Sequence, residues 1–374
     1  MSANPRIVLV HDWLNQSGGA ERVLEHLVGM FPGAPVHTSI YWREGMPEAY
    51  RDWDIRTMWM DRLPGIYRHH QHYFPLYAAA FGGLDLSGSG ADLVISNKSG
   101  FCHATRTGSI PHLCYCLAPT RYVWQFESYA ARERLPGVVR ALLRPLISAL
   151  RRWDWRMAQR ESLTFVAIST EVQARIRAFY GREAEIVYPP VDLTRFASVG
   201  TGEVEDYFLV VSRLIPYKRI DLAVRACTEL GLPLVVAGDG RDRAALEAMA
   251  GPTVRFLGRV SEAELTRLMA RCRALLFPGL EDFGLTPVEA QASGRPAIAY
   301  RGGGALDSVV AGETGLFFDE ATVPSLSGVL SRFDGMTFDP AVCRANAARF
   351  GSDRFEMELL RQVDLVTGGC WGSD

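Results

Sequence analysis

The chain has 374 residues, 48% apolar and 22% charged, which is ordinary for a globular protein and long enough for two or three domains. A formal net charge of −2 supplies no global basic field and argues against a nucleic-acid partner. No uncharged apolar run reaches the roughly 18 residues of a membrane span; the nearest, around 73–84, is broken by Pro75, Gly82 and Gly83.

Short apolar runs alternate with helical patterns from end to end, which predicts parallel sheets joined by crossover helices. Residues 6–11 read as a strand, 12–19 as a loop and 20–30 as a helix. A strand starting at Arg6 leaves no room for a leader, so the expectation is a cytoplasmic protein, with peripheral contact with the inner face of the membrane left open. Further strands are expected at 92–96, 113–116 and 163–168. Ser169 then caps a helix that ends at Tyr180-Gly181. Cys114 and Cys116 lack a second pair or a His cluster, so the seven cysteines read as reduced core thiols and no metal site is expected.

Pro189 and Pro190 exclude a central strand or helix interior, and the small, polar run 197–205 reads as the interdomain linker. The predicted domains are 1–195 and 203–350, with a C-terminal helix at about 352–374 crossing back onto the first. In the second half, strands are expected at 207–212, 232–237, 253–257, 274–277 and 296–300. Helices are expected at 219–230 and at 261–271, the latter with a Ser261/Glu264 capping box. Two such halves predict a pair of doubly wound, Rossmann-like domains facing a cleft.

Ligands of open α/β sheets bind beyond the carboxyl ends of the strands. After the first strand, Gly18 and Gly19 open a helix, where bare backbone N–H groups at a positive helix end admit a diphosphate. A plain tight turn explains the pair equally well. After the strand at 207–212 come Arg213 and Lys218. Only Lys98 and Lys218 among forty basic residues are lysine, and a compact ammonium suits a phosphate as a point charge. Two cations at a strand end suit a leaving diphosphate, although solvated surface charge is the ordinary reading.

In 281–290, Pro287 suits the first helical position, with Thr286 as the N-cap. Glu281 and Glu289 then bracket free helix N–H groups. One carboxylate is placed for sugar hydroxyls, the other for ribose hydroxyls. Thr286 and Glu289 also have capping-box spacing, so a purely structural role for Glu289 stays open.

The Gly-Gly turn, the Arg213…Lys218 pair and the Glu281…Glu289 pair stand in the order and spacing of retaining glycosyltransferase family four, which this chain resembles along nearly its whole length. Residues 167–196, Phe256-Leu257-Gly258, 302–309 and Gly315-Leu316-Phe317 carry the same likeness. Residues 111–124 and 187–192 make it most similar to bacterial mannosyltransferases of O-antigen and exopolysaccharide assembly. The resemblance implies an α/β GT-B fold and a nucleotide-diphosphate sugar as donor, GDP-mannose by analogy, with no cofactor. It implies a glycan or polyprenyl-linked glycan as acceptor.

It further implies that Arg213, Lys218 and Glu281 are catalytic. Gly18, Gly19, Gly258, Arg259, Val260, Phe283, Gly284, Leu285, Thr286 and Glu289 would bind the donor. The acceptor side falls to Asp12, His103 and Arg121. Many relatives have a histidine where this chain has Leu117. His103 would substitute from a neighbouring loop, unless it is an ordinary core histidine.

Residues 138–160 set Leu142, Leu143, Leu146, Ile147, Leu150 and Trp153 among arginines, with Arg134 upstream. This suits anionic lipid, but Pro145 is expected to interrupt the helix, and an ordinary surface helix is the competing reading. The run from Arg68 to Tyr73 would line the acceptor side. Three rivals remain: a metal-dependent transferase using Asp52 and Asp54, an epimerase or phosphorylase, and a non-catalytic sugar-nucleotide-binding subunit.

Overall fold

The structure, a computed structural model, describes residues 5–132, 135–197 and 203–369. Arg134, linker residues 198–202 and the last five residues of the expected C-terminal helix lie outside them. The chain divides into two compact units. One runs to Pro189 and takes up the chain again from Phe355; the other is Pro190–Arg354.

The first unit holds a seven-stranded sheet of β1 (Ile7–His11), β2 (Val36–Thr38), β3 (Ile55–Thr57), β4 (Leu93–Lys98), β5 (His112–Cys116), β6 (Leu163–Ala167) and β7 (Ala184–Ile186). Their order is β3-β2-β1-β4-β5-β6-β7, and every neighbouring pair is parallel. The second unit repeats the scheme with β8 (Phe208–Val211), β9 (Leu234–Ala237), β10 (Val254–Gly258), β11 (Leu275–Phe277), β12 (Ala297–Tyr300) and β13 (Gly315–Phe318). Its order is β10-β9-β8-β11-β12-β13, again all parallel. Strand order therefore reverses between β1 and β4, and between β8 and β11.

Helices cover both faces of each sheet, so the central strands are buried without alternation: β1, β4 and β5 are buried at every residue. Val8, Val10 and Val94 pack against Phe81 and Phe101 in the first unit. Phe208, Val210, Leu276 and Ile298 pack against Leu222, Val224 and Leu330 in the second. Each such side chain contributes about 1.5–3 kcal/mol on burial. The expected serine caps form: Ser169 Oγ accepts from Val172 N, and Ser261 Oγ accepts from Glu264 N; the Glu264 carboxylate accepts from Arg267 at 3.0 and 2.9 Å, so the capping box is present only in its serine half. Gly181, at φ 66°, ends the first of these helices.

The expectation at Pro145 fails. Pro145 does not interrupt its helix, which runs unbroken as Gly137–Ala158. Pro145 and Ala141 are both exposed, so water can satisfy the carbonyl that loses its N–H partner. In the last helix, Ser352–Thr367, Phe355 is buried and meets Tyr115 of β5 and His26 edge-on, at 5.6 and 6.2 Å.

Three histidines of the first unit are held neutral. Burial pushes His112, bonded to Ser96 Oγ at 2.9 Å, down to about 3 and His70 to about 4. Burial, reinforced by Lys98, holds His103 well below its ordinary value. The unfolded chain then binds more protons than the folded one below about pH 6.5, so stability present above that pH is lost on acidification, by up to about 1.4 kcal/mol per pH unit per group. Chemical denaturation between pH 6.5 and 5 should show this loss, with a shallower slope in His112→Gln; identical slopes would contradict it.

Candidate functional site

In the second unit, the reversal of strand order places the ligand crevice of such sheets between the carboxyl ends of β8 and β11. The chain leaves β8 through Ser212 and Arg213 and makes a 3₁₀ turn at Pro216–Lys218. It then bends at Arg219, whose φ of 53° is the one positive value at a non-glycine among the described residues. Two guanidinium–carboxylate bonds to Asp221, of 3.0 and 3.1 Å, hold that left-handed residue and open the helix Ile220–Leu230. Lys218 is thus fixed at the last position of the loop.

The chain leaving β11 passes Gly279, where a Cβ would lie 3.0 Å from Lys218 Cα and from its carbonyl oxygen. The two strand-end loops therefore touch, and two residues on Glu281 Oε1 forms an ion pair with Lys218 Nζ. The side chains are 14% and 18% exposed, so the pair sits at the mouth of the switch point, partly out of water. Glu281 O accepts from Gly304 N at 2.9 Å, which ties the turn to the loop after β12. Arg213, exposed, stands immediately beyond the same strand end as Lys218.

The helix expected to start at Pro287 is Leu285–Ala292, and its N-cap is Gly284, not Thr286. Gly284 takes φ 84°, and a Cβ there would lie 2.5 Å from Phe277 Cζ. Pro287 is accommodated at the third helical position because first-turn residues need no intrahelical N–H partner. This removes the capping-box explanation for Glu289, since box spacing from Gly284 falls on Pro287. Glu289 is 3% exposed on this helix, and Gly284 offers no side-chain cap to the N–H groups of Leu285 and Thr286. Phe283 is buried against Phe350, with ring centroids 5.5 Å apart. Gly258 ends β10 and Arg259 and Val260 follow it, two strands from β8 and so about 10 Å away at ordinary strand spacing.

The first unit uses its own strand reversal differently. Asp12, just beyond β1, is fully buried. Its Oδ2 accepts from Ser99 N and Gly100 N at 2.7 and 2.6 Å, and its Oδ1 from Cys102 N at 2.9 Å. It closes the gap between β1 and β4 with backbone donors. Gly18 is the extended N-cap of the helix Gly19–Met30, and the Glu21 carboxylate folds back to within 3.2 Å of where a Gly18 Cβ would sit. Glu21 thus places an anion of the chain itself at this positive helix end.

His103 is fully buried, 3.4 Å from Asp154 and flanked by Phe165 and Tyr180. Arg121 opens the short helix Arg121–Trp124. His70 lies inward against Trp13, with centroids 5.3 Å apart. Of the Asp52/Asp54 pair, Asp54 is taken by Arg56, at 2.7 Å.

Sequence reasoning gave Lys218 weight for its rarity and passed over the other lysine. Lys98 is fully buried and donates to Ala118 O and Thr120 Oγ1 at 3.2 and 3.3 Å. Burial opposes its charge, but Cys116, Asp154 and Cys114 around it raise its pKa on balance. Asp154, its own pKa raised by burial, accepts from Trp124 Nε1 and Tyr180 OH at 2.6 and 2.8 Å. Together they fasten residues 117–124, the stretch containing Leu117. The same scarcity argument would have found Lys98.

Gly284→Ala should cost about 1–3 kcal/mol, because it adds left-handed strain and a clash at Phe277. Thermal denaturation checks this, and an unchanged melting temperature would contradict the turn geometry.

Residues 194–333 match the family model described as glycosyl transferases group 1. The chain is 34% identical over 158 residues to a glycogen synthase of Pseudomonas syringae pv. syringae, covering 38% of this chain and 32% of that protein. It is 41% identical over 111 residues to a GDP-mannose-dependent alpha-mannosyltransferase of Mycolicibacterium smegmatis, covering 29% of each. The chain thus spans about a third of the length of these curated relatives. In structure it is similar to Anabaena Alr3699/HepE, solved in complex with UDP and glucose, with a TM-score of 0.70, 17% identity and coverage of 96% of this chain and 100% of the other. With its two doubly wound parallel sheets, the chain has the GT-B fold.

Proposed function

We propose that this chain is a retaining glycosyltransferase that moves a hexose, mannose in the first instance, from a nucleotide-diphosphate sugar to a glycan or polyprenyl-linked glycan in polysaccharide biosynthesis. The observation that carries the reading is the Lys218–Glu281 pair across the β8/β11 switch point. There a cation meets a hydrogen-bond acceptor for sugar hydroxyls, with a helix start a few residues on.

In this reading, the donor diphosphate takes Glu281's place on the Lys218 ammonium. Arg213 and the N–H groups at Leu285 and Thr286 supply further positive potential. Glu281, released, accepts from the sugar, and Glu289 from the ribose. The anomeric C–O bond to the phosphate breaks and the acceptor oxygen bonds the same face. The acceptor's proton passes to the leaving phosphate oxygen. The developing charge is met by fixed cations, so the proposal needs no metal. GDP-mannose has the support of the mannosyltransferase match. The glycogen synthase match favours a second reading, in which the donor is a glucosyl nucleotide.

Lys218→Ala should lower kcat by about 10²–10³, as loss of one oxyanion donor does. Its melting temperature should change little beside that loss, because Glu281 sits at the mouth of the switch point and keeps some contact with water. Retained turnover would remove Lys218 from the chemistry. A thermal-shift series with GDP-mannose, UDP-glucose, ADP-glucose and a dTDP-sugar should single out GDP-mannose; at 100 Kd the gain is about 2.7 kcal/mol. A shift with UDP-glucose or ADP-glucose alone would select the glucosyl reading.

A further inference from the structure

The helix Gly137–Ala158 divides its apolar residues between two faces. Its buried residues, Ile147, Leu150, Asp154 and Ala158, all lie beyond its midpoint or close to it. Its first turns leave Val138 and Leu142 73% and 75% exposed, the two most exposed large apolar side chains among the described residues. Val139 and Leu146 are exposed beside them. At 100° per residue, Val138, Leu142 and Leu146 form one stripe about 80° wide, centred about 110° from the middle of the face that holds Ile147 and Leu150. An ordinary surface helix would have turned this stripe inward.

The charge on the same helix has one sign. It carries Arg140, Arg144, Arg151, Arg152 and Arg156, and its single acid, Asp154, is fully buried. Arg152 and Arg156 continue the line of the stripe, within about 80° of Leu142. Arg140 and Arg144 lie on the far side, 3.7 and 3.2 Å from Glu127. An exposed apolar stripe that shares its helix with positive charge alone is complementary to a surface that is apolar within and anionic at its face.

We propose that this helix docks the chain on an anionic lipid bilayer. It lies in the headgroup plane, with Val138, Leu142 and Leu146 in the acyl boundary and Arg152 and Arg156 on lipid phosphates. No helix of the described residues is long and apolar enough to cross a membrane, so the helix lies on the surface. The proposal is independent of the donor chemistry and stands or falls apart from it.

Co-sedimentation of the full chain with vesicles tests it. Phosphatidylglycerol-containing vesicles should bind the chain, and pure phosphatidylcholine vesicles and high salt should not. Val138→Glu with Leu142→Glu, and separately Arg152→Glu with Arg156→Glu, should each weaken binding on the order of tenfold. Both should keep the melting temperature and any nucleotide-sugar-induced shift. If the first pair melts early, Leu142→Ser takes its place. Equal binding to phosphatidylcholine, or full binding by both charge and apolar variants, would overturn the proposal. So would sedimentation velocity showing that the apolar variant dissociates a dimer while no vesicle is bound, because the stripe would then face a second copy.

Discussion

A lysine and a glutamate that meet across a gap between two parallel strands organise the second unit. Lys218 leaves β8 and Glu281 leaves β11, the two strands between which the order of the sheet reverses. Their meeting requires the loop from β8 to pass against Gly279, the bend at Arg219 to stop the loop at Lys218, and Gly304 to hold the Glu281 carbonyl. The two side chains are 14% and 18% exposed, so each keeps the other's charge matched where water is scarce. In the proposed reading, that local structure holds two groups for which a ligand competes.

The first unit shows what the same topology does when the gap is closed for good. Asp12 spans β1 and β4 with three bonds from backbone N–H groups, and it is fully buried. Breaking that arrangement would strand buried donors, at about 1–3 kcal/mol each. In the proposed reading, Lys218 and Glu281 exchange each other for phosphate and hydroxyl groups. Equivalent places in two sheets of like order thus hold a buried anion in one and a lysine–glutamate ion pair in the other.

Much of this was legible in the sequence, for identifiable reasons. Strands buried on both faces announce themselves as short apolar runs, Ile7–Val10 in β1 and Leu93–Ile95 in β4. The strands Val36–Thr38, Ile55–Thr57 and Ala184–Ile186 were invisible, because each is three residues long with a polar or charged residue in the middle. Side-chain caps at Ser169 and Ser261 read correctly, whereas Thr286 did not. Cap preferences favour a hydroxyl, but the crowding of Phe277 against position 284, which demands glycine, is a tertiary contact. Pro145 misled for the complementary reason: propensity forbids it inside a helix, but solvent on that side and packing at Ile147 and Leu150 override it. The pairing of Lys218 with Glu281 lies across 63 residues and depends on strand order, which no local pattern reports.

The central claim is that a donor diphosphate displaces Glu281 from Lys218. A crystal structure of the chain with GDP, or with a non-hydrolysable nucleotide sugar, tests this most directly. The account requires phosphate oxygens within hydrogen-bonding distance of Lys218 Nζ, over the gap between β8 and β11, with the Lys218–Glu281 contact opened. Nucleotide bound elsewhere while that ion pair stays intact would contradict it.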